Sequence, residues 1–179
     1  MSGGRRATRA PVAQPAEGAR YNHAMRVGQG FDAHAFAEGR PLMLGGVEVP
    51  HARGLAGHSD GDPLLHAVID ALLGAAGLGD IGGMFPPSDE CWRGAASLDL
   101  LASASRRVRA AGFHVVNVDA TVVAEAPRLA PYVDAMRARI ASALDMDITA
   151  VSVKPKTTDG LGFTGRGDGI AAFAAVLLE

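Results

Sequence analysis

The pattern of hydrophobic and polar positions predicts three helices along the chain. The first begins near Asp62, because aspartate is a favourable N-cap, Pro63 suits the first helical position, and glycine closes the apolar stretch "LLHAVIDALLGAAG". The other two helices are predicted over residues 97–111 and about 131–145. In the second helix, leucines fall on one side and arginines on the other, as expected of a helix that packs on a core.

Shorter apolar stretches, separated by glycine, proline and polar residues, are typical of strands. Strands are predicted at residues 26–32, 41–49, 113–125, 150–154 and 169–179, with a turn or bulge at the "GG" of 45–46 and a loop over 79–96. This order of elements, with a single core, indicates an α+β or α/β fold whose helices pack on one sheet. The last strand is apolar at nearly every position, which favours burial of one sheet face in an oligomer.

Composition adds few constraints on function. At 179 residues, with 48% hydrophobic and 20% charged residues, the chain fits one globular domain. A net charge of −2 gives no reason to expect nucleic-acid binding, and no apolar run is long enough to predict a membrane span. Cys91 is the only cysteine, so no internal disulfide forms and a reducing compartment is favoured.

The first residues differ from the rest of the chain. The first 25 carry four arginines against one glutamate, a net charge of +3 that leaves −5 on the remainder. Rich in Ala, Gly, Pro and Arg and without hydrophobic periodicity, residues 1–24 are predicted to be a disordered extension of a domain spanning 25–179. A transit peptide is an open alternative, but a cytoplasmic bacterial protein is the expected setting.

The stretch "VGQGFDAHAF" at residues 27–36 contains the first candidate chemistry. Gly28 and Gly30 are followed by Ala33 and by no helix, so a dinucleotide fingerprint does not fit, and the glycines are expected to shape the strand end. Asp32 and His34 lie two residues apart, so an extended backbone directs both side chains to the same side. The pair could bind a divalent metal or be a histidine hydrogen-bonded to its neighbouring acid.

His66, near the start of the first helix, could complete this site. Three ligands, Asp32, His34 and His66, would leave a fourth position open for substrate, although His66 could instead be a buried structural histidine. Asp70, one turn further, is predicted to orient an imidazole from outside the ligand set. The facial triad of non-haem iron oxygenases is less fitting, since its usual order is H-x-D within a many-stranded jelly roll.

A third cluster lies in "KTTDGLGFTGRGDG", residues 156–169. Thr157 and Thr158 offer hydroxyl and backbone donors and Arg166 a forked cation, all suited to phosphates. Asp159 could hold a hard cation such as Mg²⁺. The alternative is a polar, glycine-rich turn with no ligand.

Together these stretches resemble the 2-C-methyl-D-erythritol 2,4-cyclodiphosphate synthase family of the non-mevalonate isoprenoid pathway. The resemblance is carried by "RVGQGFDAHAF", "GHSDGDPLLHA", "FPPSD", "NVDATVVAEAPRLAPY" and "LGFTGRGDGIAAFAAVLL". It runs nearly continuously from Met25 to Leu178, and the combination of "GHSDGD" with "GFTGRG" is highly specific.

The resemblance implies an α+β homotrimer, in which a mixed sheet packs against helices on one face, the sheets face an apolar centre, and the active sites lie between neighbouring subunits. It implies a lyase that converts 4-diphosphocytidyl-2-C-methyl-D-erythritol 2-phosphate to the 2,4-cyclodiphosphate with release of CMP. It further implies Zn²⁺ on Asp32, His34 and His66, and Mg²⁺ or Mn²⁺ on Asp159. An isoprenoid diphosphate could face Arg166 in the central cavity.

The resemblance also implies roles for single residues. His58 and Thr157 would stabilise the transition state. Substrate contacts are expected along the metal-site strand, the phosphate loops, a ribose-contacting segment, a loop over the methylerythritol and a cytidine pocket: Asp32, Ala33, His34, His58, Ser59, Asp80, Ile81, Gly82, Phe85, Pro86, Pro87, Ser88, Asp89, Ala124, Glu125, Ala126, Pro127, Arg128, Leu129, Ala130, Lys156, Thr157, Thr158, Asp159, Phe163 and Arg166.

Three residues depart from the family pattern. Pro87 stands where an aspartate is common, Asp159 replaces a glutamate, and Lys156 replaces a small or hydroxyl residue. These changes affect the expected grip on the substrate and the second metal rather than the reaction. The alternatives are a catalytically inactive trimer that binds nucleotides or isoprenoids, and an association with the cytidylyltransferase of the same pathway.

Overall fold

The computed structural model describes residues 25–179, so the predicted disorder of residues 1–24 lies outside the described residues. Within that range the chain forms seven strands and five α-helices. The strands are β1 (Arg26–Ala37), β2 (Leu42–Leu44), β3 (Val47–Val49), β4 (Gly54–Leu55), β5 (Val115–Val123), β6 (Val151–Lys156) and β7 (Gly169–Leu178). The helices are α1 (Pro63–Ala76), α2 (Ile81–Met84), α3 (Ser97–Ala110), α4 (Val133–Leu144) and α5 (Gly162–Gly165).

Five strands form one mixed sheet in the order β4-β1-β7-β5-β6. β5 and β6 pair in parallel, and the other neighbours are antiparallel. The longest pairing joins β1 to β7 over ten residue pairs, from Arg26 with Leu178 to Ala35 with Gly169. The predicted mixed sheet of an α+β fold is therefore confirmed.

The two faces of the sheet differ in their surroundings. α1 packs on β1 and β7, and α4 packs on β6, so the core lies on the helix side. The opposite face is open in the described chain, where Val27, Phe31 and Phe173 are 73%, 51% and 42% exposed. The rings of Phe31 and Phe173 lie 4.8 Å apart on that face. A helix layer thus covers only one side of the sheet, as the sequence predicted.

Two glycines allow α1 to lie directly against β1. A Cβ atom added at Gly28 would lie 1.9 Å from the carbonyl oxygen of Ala71, and one added at Gly30 would lie 1.9 Å from that of Ala67. The expectation that these glycines shape a strand end is wrong, because β1 continues to Ala37. They lie inside the strand, where they leave room for the helix backbone.

The start of α1 is fixed by Asp62, as predicted. Its buried carboxylate accepts a hydrogen bond from the backbone N–H of Leu65 at 3.1 Å, and Pro63 occupies the first turn. The same carboxylate accepts from the N–H of Gly46 at 2.7 Å. Gly45 and Gly46 form the turn between β2 and β3, so the predicted turn is confirmed and also anchors the helix start.

The region predicted as a loop over residues 79–96 contains two short helical elements. α2 begins where the carboxylate of Asp80 accepts a hydrogen bond from the N–H of Gly83 at 2.7 Å. A 3-10 turn follows at Glu90–Trp92. Both are single turns in a stretch rich in glycine and proline, so no periodicity indicates them.

Candidate active site

Asp32, His34 and His66 meet at one point on the helix side of the sheet. Oδ2 of Asp32 lies 2.8 Å from Nε2 of His34 and 2.8 Å from Nδ1 of His66. The two ring nitrogens are 3.1 Å apart. Three atoms that can bind one ion therefore surround a common position, and the predicted convergence of these residues is confirmed.

The register between β1 and α1 explains this convergence. Two strand residues advance by about 6.7 Å and four helix residues by about 6 Å, so a strand and a helix can stay in step. The contacts of Gly28 with Ala71 and of Gly30 with Ala67 follow this step in antiparallel order. The next strand position on the same face is Asp32, and it meets His66 at the start of α1.

The donor set fits a divalent transition metal. One carboxylate oxygen and two imidazole nitrogens are ligands that zinc prefers, and three protein ligands leave a position for a substrate atom. Nε2 of His66 lies 3.0 Å from Oγ of both Ser59 and Ser97, so the ring is held by hydrogen bonds on the side away from the ligand atoms. These residues can hold a metal, and the ligand atoms do not determine which one.

The charged forms of Asp32 and His66 stabilise each other. Burial disfavours the charged form of Asp32, but hydrogen bonds from His34 and His66 outweigh it and hold the pKa of the carboxyl well below its usual range. Burial also disfavours the charged form of His66, yet its hydrogen bond to Asp32 and the nearby carboxylates raise the pKa of the ring. In the metal-free group the carboxylate of Asp32 therefore favours the protonated form of the His66 ring, and a bound cation would replace that proton.

Asp70 does not orient an imidazole, so that prediction is wrong. Its carboxylate accepts a hydrogen bond from the backbone N–H of Ile81 at 2.7 Å and so joins α1 to the start of α2. Burial raises the pKa of the Asp70 carboxyl. The outer nitrogen of His66 instead forms hydrogen bonds with the hydroxyls of two serines, whose positions in the sequence gave no comparable signal.

His58 lies on a short segment that Arg40 holds from outside. The guanidinium of Arg40 donates to the carbonyl oxygen of Gly57 at 2.7 Å and also to that of Ser59, on either side of His58. The carbonyl of His58 accepts from the N–H of Gly94 at 2.8 Å. Nε2 of His58 is buried and has no hydrogen-bond partner among residues 25–179. A buried nitrogen of this kind is available to a ligand.

The metal-binding group and His58 line one cavity of about 240 Å³. Its remaining wall is largely apolar and includes Ile81, Gly82, Phe85 and Pro87 from the predicted segments at 80–82 and 85–89. The lining residues are Asp32, His34, His58, Ser59, His66, Asp70, Ile81, Gly82, Phe85, Pro87, Trp92 and Leu100. The cavity therefore joins a polar end, suited to an anion, to an apolar end suited to a small carbon skeleton.

A second cavity of about 520 Å³ lies where β5 and β6 end. It is lined by Ala124, Glu125, Pro127, Arg128, Leu129, Ala130, Pro155, Lys156 and Thr157. Six of these residues belong to the segment 124–130, for which the sequence resemblance implied a cytidine pocket, and Pro155, Lys156 and Thr157 complete the lining. The two cavities share no residue, so His58 and Thr157 line different cavities of the described chain.

Comparison with known proteins decides the family. The model of the YgbB family matches residues 25–179, the whole of the described range. The chain belongs to the YgbB family.

Its YgbB relatives are similar over nearly their full length. The 2-C-methyl-D-erythritol 2,4-cyclodiphosphate synthase of Alkalilimnicola ehrlichii is 61% identical over 155 residues, covering 86% of this chain and 94% of that protein. The synthase of the same name from Moorella thermoacetica is 59% identical over 154 residues, covering 86% of this chain and 94% of that protein.

Solved structures agree with this assignment. The bifunctional IspDF of Campylobacter jejuni is 46% identical with a TM-score of 0.84; the match covers 87% of this chain and 42% of that longer one. A 2C-methyl-D-erythritol-2,4-cyclodiphosphate synthase in its CDP-bound form is 38% identical with a TM-score of 0.79, covering 86% of this chain and 100% of that one.

The loop at residues 156–168 is held by hydrogen bonds between its own side chains. The hydroxyl of Thr157 donates to Oδ1 of Asp159 at 3.1 Å, and the hydroxyls of Thr158 and Thr164 lie 3.1 Å apart. The guanidinium of Arg166 donates to Asp168 at 3.0 Å. Asp159 is exposed, with a positive φ of 52°. No residue of this loop lines the first cavity, which contains Asp32, His34 and His66.

Several residues of the site were missed by the sequence analysis. Trp92 and Leu100 line the first cavity, and the ring of Trp92 lies edge-on to that of Phe85 at 5.0 Å. Arg40 and Ser97 hold the polar end by hydrogen bonds. The only tryptophan of an aromatic-poor chain, set beside a glycine-rich loop, was a signal that could have indicated Trp92.

Proposed function

We propose that this chain is a 2-C-methyl-D-erythritol 2,4-cyclodiphosphate synthase, a phosphorus–oxygen lyase of isoprenoid precursor biosynthesis. Its substrate would be 4-diphosphocytidyl-2-C-methyl-D-erythritol 2-phosphate and its products the 2,4-cyclodiphosphate and CMP. The observation that carries the proposal is the group of Asp32, His34 and His66 beside the unpartnered nitrogen of His58. Relatives up to 61% identical across nearly the whole domain bear that name.

The reaction needs positioned charges more than a base. The 2-phosphate of the substrate is already an anion, so its oxygen can attack the β-phosphorus without a strong general base. As that bond forms, the bond from the β-phosphorus to the bridging oxygen breaks, and its electron pair leaves with the α-phosphate of CMP. The barrier arises from bringing two anionic groups together, which cations and aligned donors reduce.

The first cavity offers such groups for the diphosphate. When bound, a zinc ion on Asp32, His34 and His66 would polarise a β-phosphate oxygen as a Lewis acid. His58 and Ser59 line the same cavity, and Nε2 of His58 and the hydroxyl of Ser59 would donate to phosphate oxygens. The apolar wall would enclose the methylerythritol carbons and exclude water from the reacting phosphates.

The second cavity would hold the nucleotide. Backbone groups of the loop at 124–130 would contact cytosine, and Lys156 would add a cation near the phosphates. Thr157 would donate to a phosphate in the transition state. Asp159, as an exposed carboxylate beside Thr157, would hold Mg²⁺ or Mn²⁺, and such a cation would offset the negative charge of the phosphates.

We further propose that three copies of the chain form the active enzyme. Two observations support this: the open apolar face around Phe31 and Phe173, and the separation of His58 from Thr157 into two cavities. In a trimer whose sites lie between neighbours, the first cavity of one subunit would complete the second cavity of the next. An isoprenoid diphosphate near Arg166 at the trimer centre stays a prediction.

The decisive experiment is a CMP-release assay on the purified full chain with the diphosphocytidyl substrate, Zn²⁺ and Mg²⁺. The expected result is the formation of CMP and cyclodiphosphate in equal amounts, both measured by ³¹P NMR. Folded, metal-loaded protein that releases no CMP would refute the proposed activity.

The metal assignment has a separate test. His66→Ala should lose the bound zinc by elemental analysis, whereas His114→Ala, on an exposed position outside both cavities, should keep it. Full zinc retention by a folded His66→Ala variant would show that His66 is not a zinc ligand.

A further inference from the structure

The outer nitrogen of the metal ligand His66 is connected to a carboxylate through a single hydroxyl. Nε2 of His66 lies 3.0 Å from Oγ of Ser97. Oγ of Ser97 donates to Oδ1 of Asp60, and the backbone N–H of Ser97 donates to Oδ2 of Asp60 at 2.9 Å. Ser97 is completely buried at the first position of α3. The carboxylate of Asp60 thus accepts two hydrogen bonds from one residue.

The direction of these hydrogen bonds follows from the number of protons. A serine hydroxyl has one proton, and an ionised carboxylate can only accept. Because the proton of Ser97 lies toward Asp60, Oγ of Ser97 can only accept a hydrogen bond from His66. Nε2 of a neutral His66 therefore carries the proton, and its Nδ1, which lies 2.8 Å from Asp32, has the free lone pair.

The backbone around Asp60 holds this arrangement in place. The N–H of Asp60 donates to the carbonyl of Ala95 at 3.1 Å, and the N–H of Gly94 donates to the carbonyl of His58 at 2.8 Å. α3 has no side-chain N-cap of its own, and Asp60 supplies one from the neighbouring segment. The start of α3 is therefore fixed against the segment that contains His58.

We propose that Asp60 and Ser97 are positioning residues that set the tautomer of His66, so that Nδ1 is presented to the metal. The proposal rests on the proposed metal site and deepens it. It adds that the start of α3, more than thirty residues from the ligands, contributes to metal affinity. It also leaves the proton of Ser59 free: Oγ of Ser59 accepts from the N–H of Gly61 at 3.3 Å, and its own proton can turn toward an anionic substrate.

Asp60→Asn tests the direction of the relay. Asparagine has one side-chain oxygen, which the buried N–H of Ser97 requires, so its NH₂ group would face Oγ of Ser97. Ser97 would then donate to Nε2 of His66 and force the proton onto Nδ1, the ligand atom. We expect the dissociation constant for Zn²⁺ to rise about 100-fold in Asp60→Asn and about tenfold in Ser97→Ala, where Ser59 remains as an acceptor.

The measurement uses Zn²⁺ alone, in competition with a chromophoric chelator, together with ¹⁵N NMR of labelled histidines in the zinc-loaded protein. Wild-type His66 should show a protonated Nε2. Asp99→Asn is the matched control, since it removes a carboxylate from the exposed first turn of the same helix without touching the relay. Its zinc affinity should equal that of the wild type.

Folded Asp60→Asn with wild-type zinc affinity and an unchanged tautomer would overturn the proposal. Equal weakening by Asp60→Asn and Asp99→Asn would also overturn it, because a general charge effect would then explain both. If Asp60→Asn does not fold, the zinc affinity of Ser97→Ala decides: a loss of about tenfold supports the proposal, and wild-type affinity overturns it. Since no substrate is present, these results are independent of the CMP-release assay, and an inactive enzyme with an intact relay would refute only the proposed activity.

Discussion

At the scale of residues, the polar end of the first cavity depends on side chains that do not face the ligand. Arg40 donates to two carbonyls on either side of His58, and Ser97 holds the outer nitrogen of His66. Such contacts restrict groups that must be aligned before two anions meet, and misplacement by about 1 Å can cost a factor of about 100 in rate. Supporting residues should therefore affect turnover and metal binding differently.

Arg40→Ala is predicted to lower kcat by about 10- to 100-fold while zinc content stays at the wild-type level. The substitution removes the donors to Gly57 and Ser59, so His58 is less well aligned, but Asp32, His34 and His66 keep their own supports. Arg40→Lys can reach one carbonyl and should be intermediate. Steady-state kinetics measure kcat and elemental analysis measures the zinc content, with Arg139→Ala, at an exposed position, as the control. Wild-type kcat in Arg40→Ala would contradict the assignment.

Zinc affinity is predicted to fall with decreasing pH, beginning above pH 6.5, the ordinary pKa of histidine. The pKa of His66 is raised in the metal-free protein, so its ring holds a proton to higher pH, and zinc must displace that proton. Affinity should be constant above the folded-state pKa and drop about tenfold per pH unit below it. Chelator competition from about pH 5.5 to 8.5 checks this; a flat affinity down to about pH 6 would contradict it.

The ligand residues could be predicted from the sequence, whereas their supports could not. Asp32 and His34 are an adjacent pair on a strand, and His66 follows a recognisable N-cap, so local patterns indicate all three. Arg40, Asp60 and Ser97 are common polar residues whose partners lie on segments distant in the sequence. Only the folded loops bring them into contact, and no spacing rule describes that contact.

At the scale of elements, the distance between β1 and α1 determines the metal site. Because Gly28 and Gly30 have no side chains, the backbone of β1 lies directly against the backbone of α1 at Ala71 and Ala67. The same close packing of strand and helix brings Asp32 to His66. The sequence spacing of the two glycines suggested a phosphate loop, a hypothesis that the absence of a following helix already disfavoured. Their role depends on a helix more than thirty residues away, which explains why the sequence did not reveal it.

Gly30→Ala is predicted to destabilise the protein by about 3 kcal/mol or more and to reduce zinc binding. Its new Cβ would overlap the backbone carbonyl of Ala67, so α1 must move away from β1 and carry His66 with it. Gly74→Ala is the matched control: it lies inside α1, is exposed and meets no atom within 4 Å. That variant should instead be more stable by about 0.5–1 kcal/mol.

Urea unfolding of the two glycine variants, with zinc analysis of each, makes the comparison. Because both substitutions add one methyl group, a difference in sign isolates the helix–strand contact. A Gly30→Ala variant as stable and as zinc-rich as the wild type would contradict the account of β1 and α1.

At the scale of the whole molecule, the described chain has two separate cavities and an uncovered apolar sheet face. Within residues 25–179, no helix is long and apolar enough to cross a membrane. The exposed apolar side chains on the open sheet face are of the kind that other copies of the chain could cover. Both features support the proposed trimer. The cytoplasmic setting stays a prediction from composition.

If the proposed trimer forms through this face, Phe173→Glu is predicted to convert it to a folded monomer that releases no CMP. In the single chain this side chain is 42% exposed, so a charge there costs little, whereas in a buried interface it would be unpaired. Analytical ultracentrifugation, circular dichroism and the CMP assay make the test, with Arg139→Glu on the exposed side of α4 as control. A trimeric, active Phe173→Glu would place the interface elsewhere.

The position of β7 has a consequence for synthesis on the ribosome. β7 follows every other element along the chain, yet it lies between β1 and β5 and pairs with both. Asp32, His34 and His66 have all been translated by residue 66, but the sheet that supports β1 cannot close until β7 has left the exit tunnel. A nascent chain would thus leave β1 unpaired with β7 for most of its translation and β5 for the last third, and chaperones that bind exposed strands would have their greatest effect then.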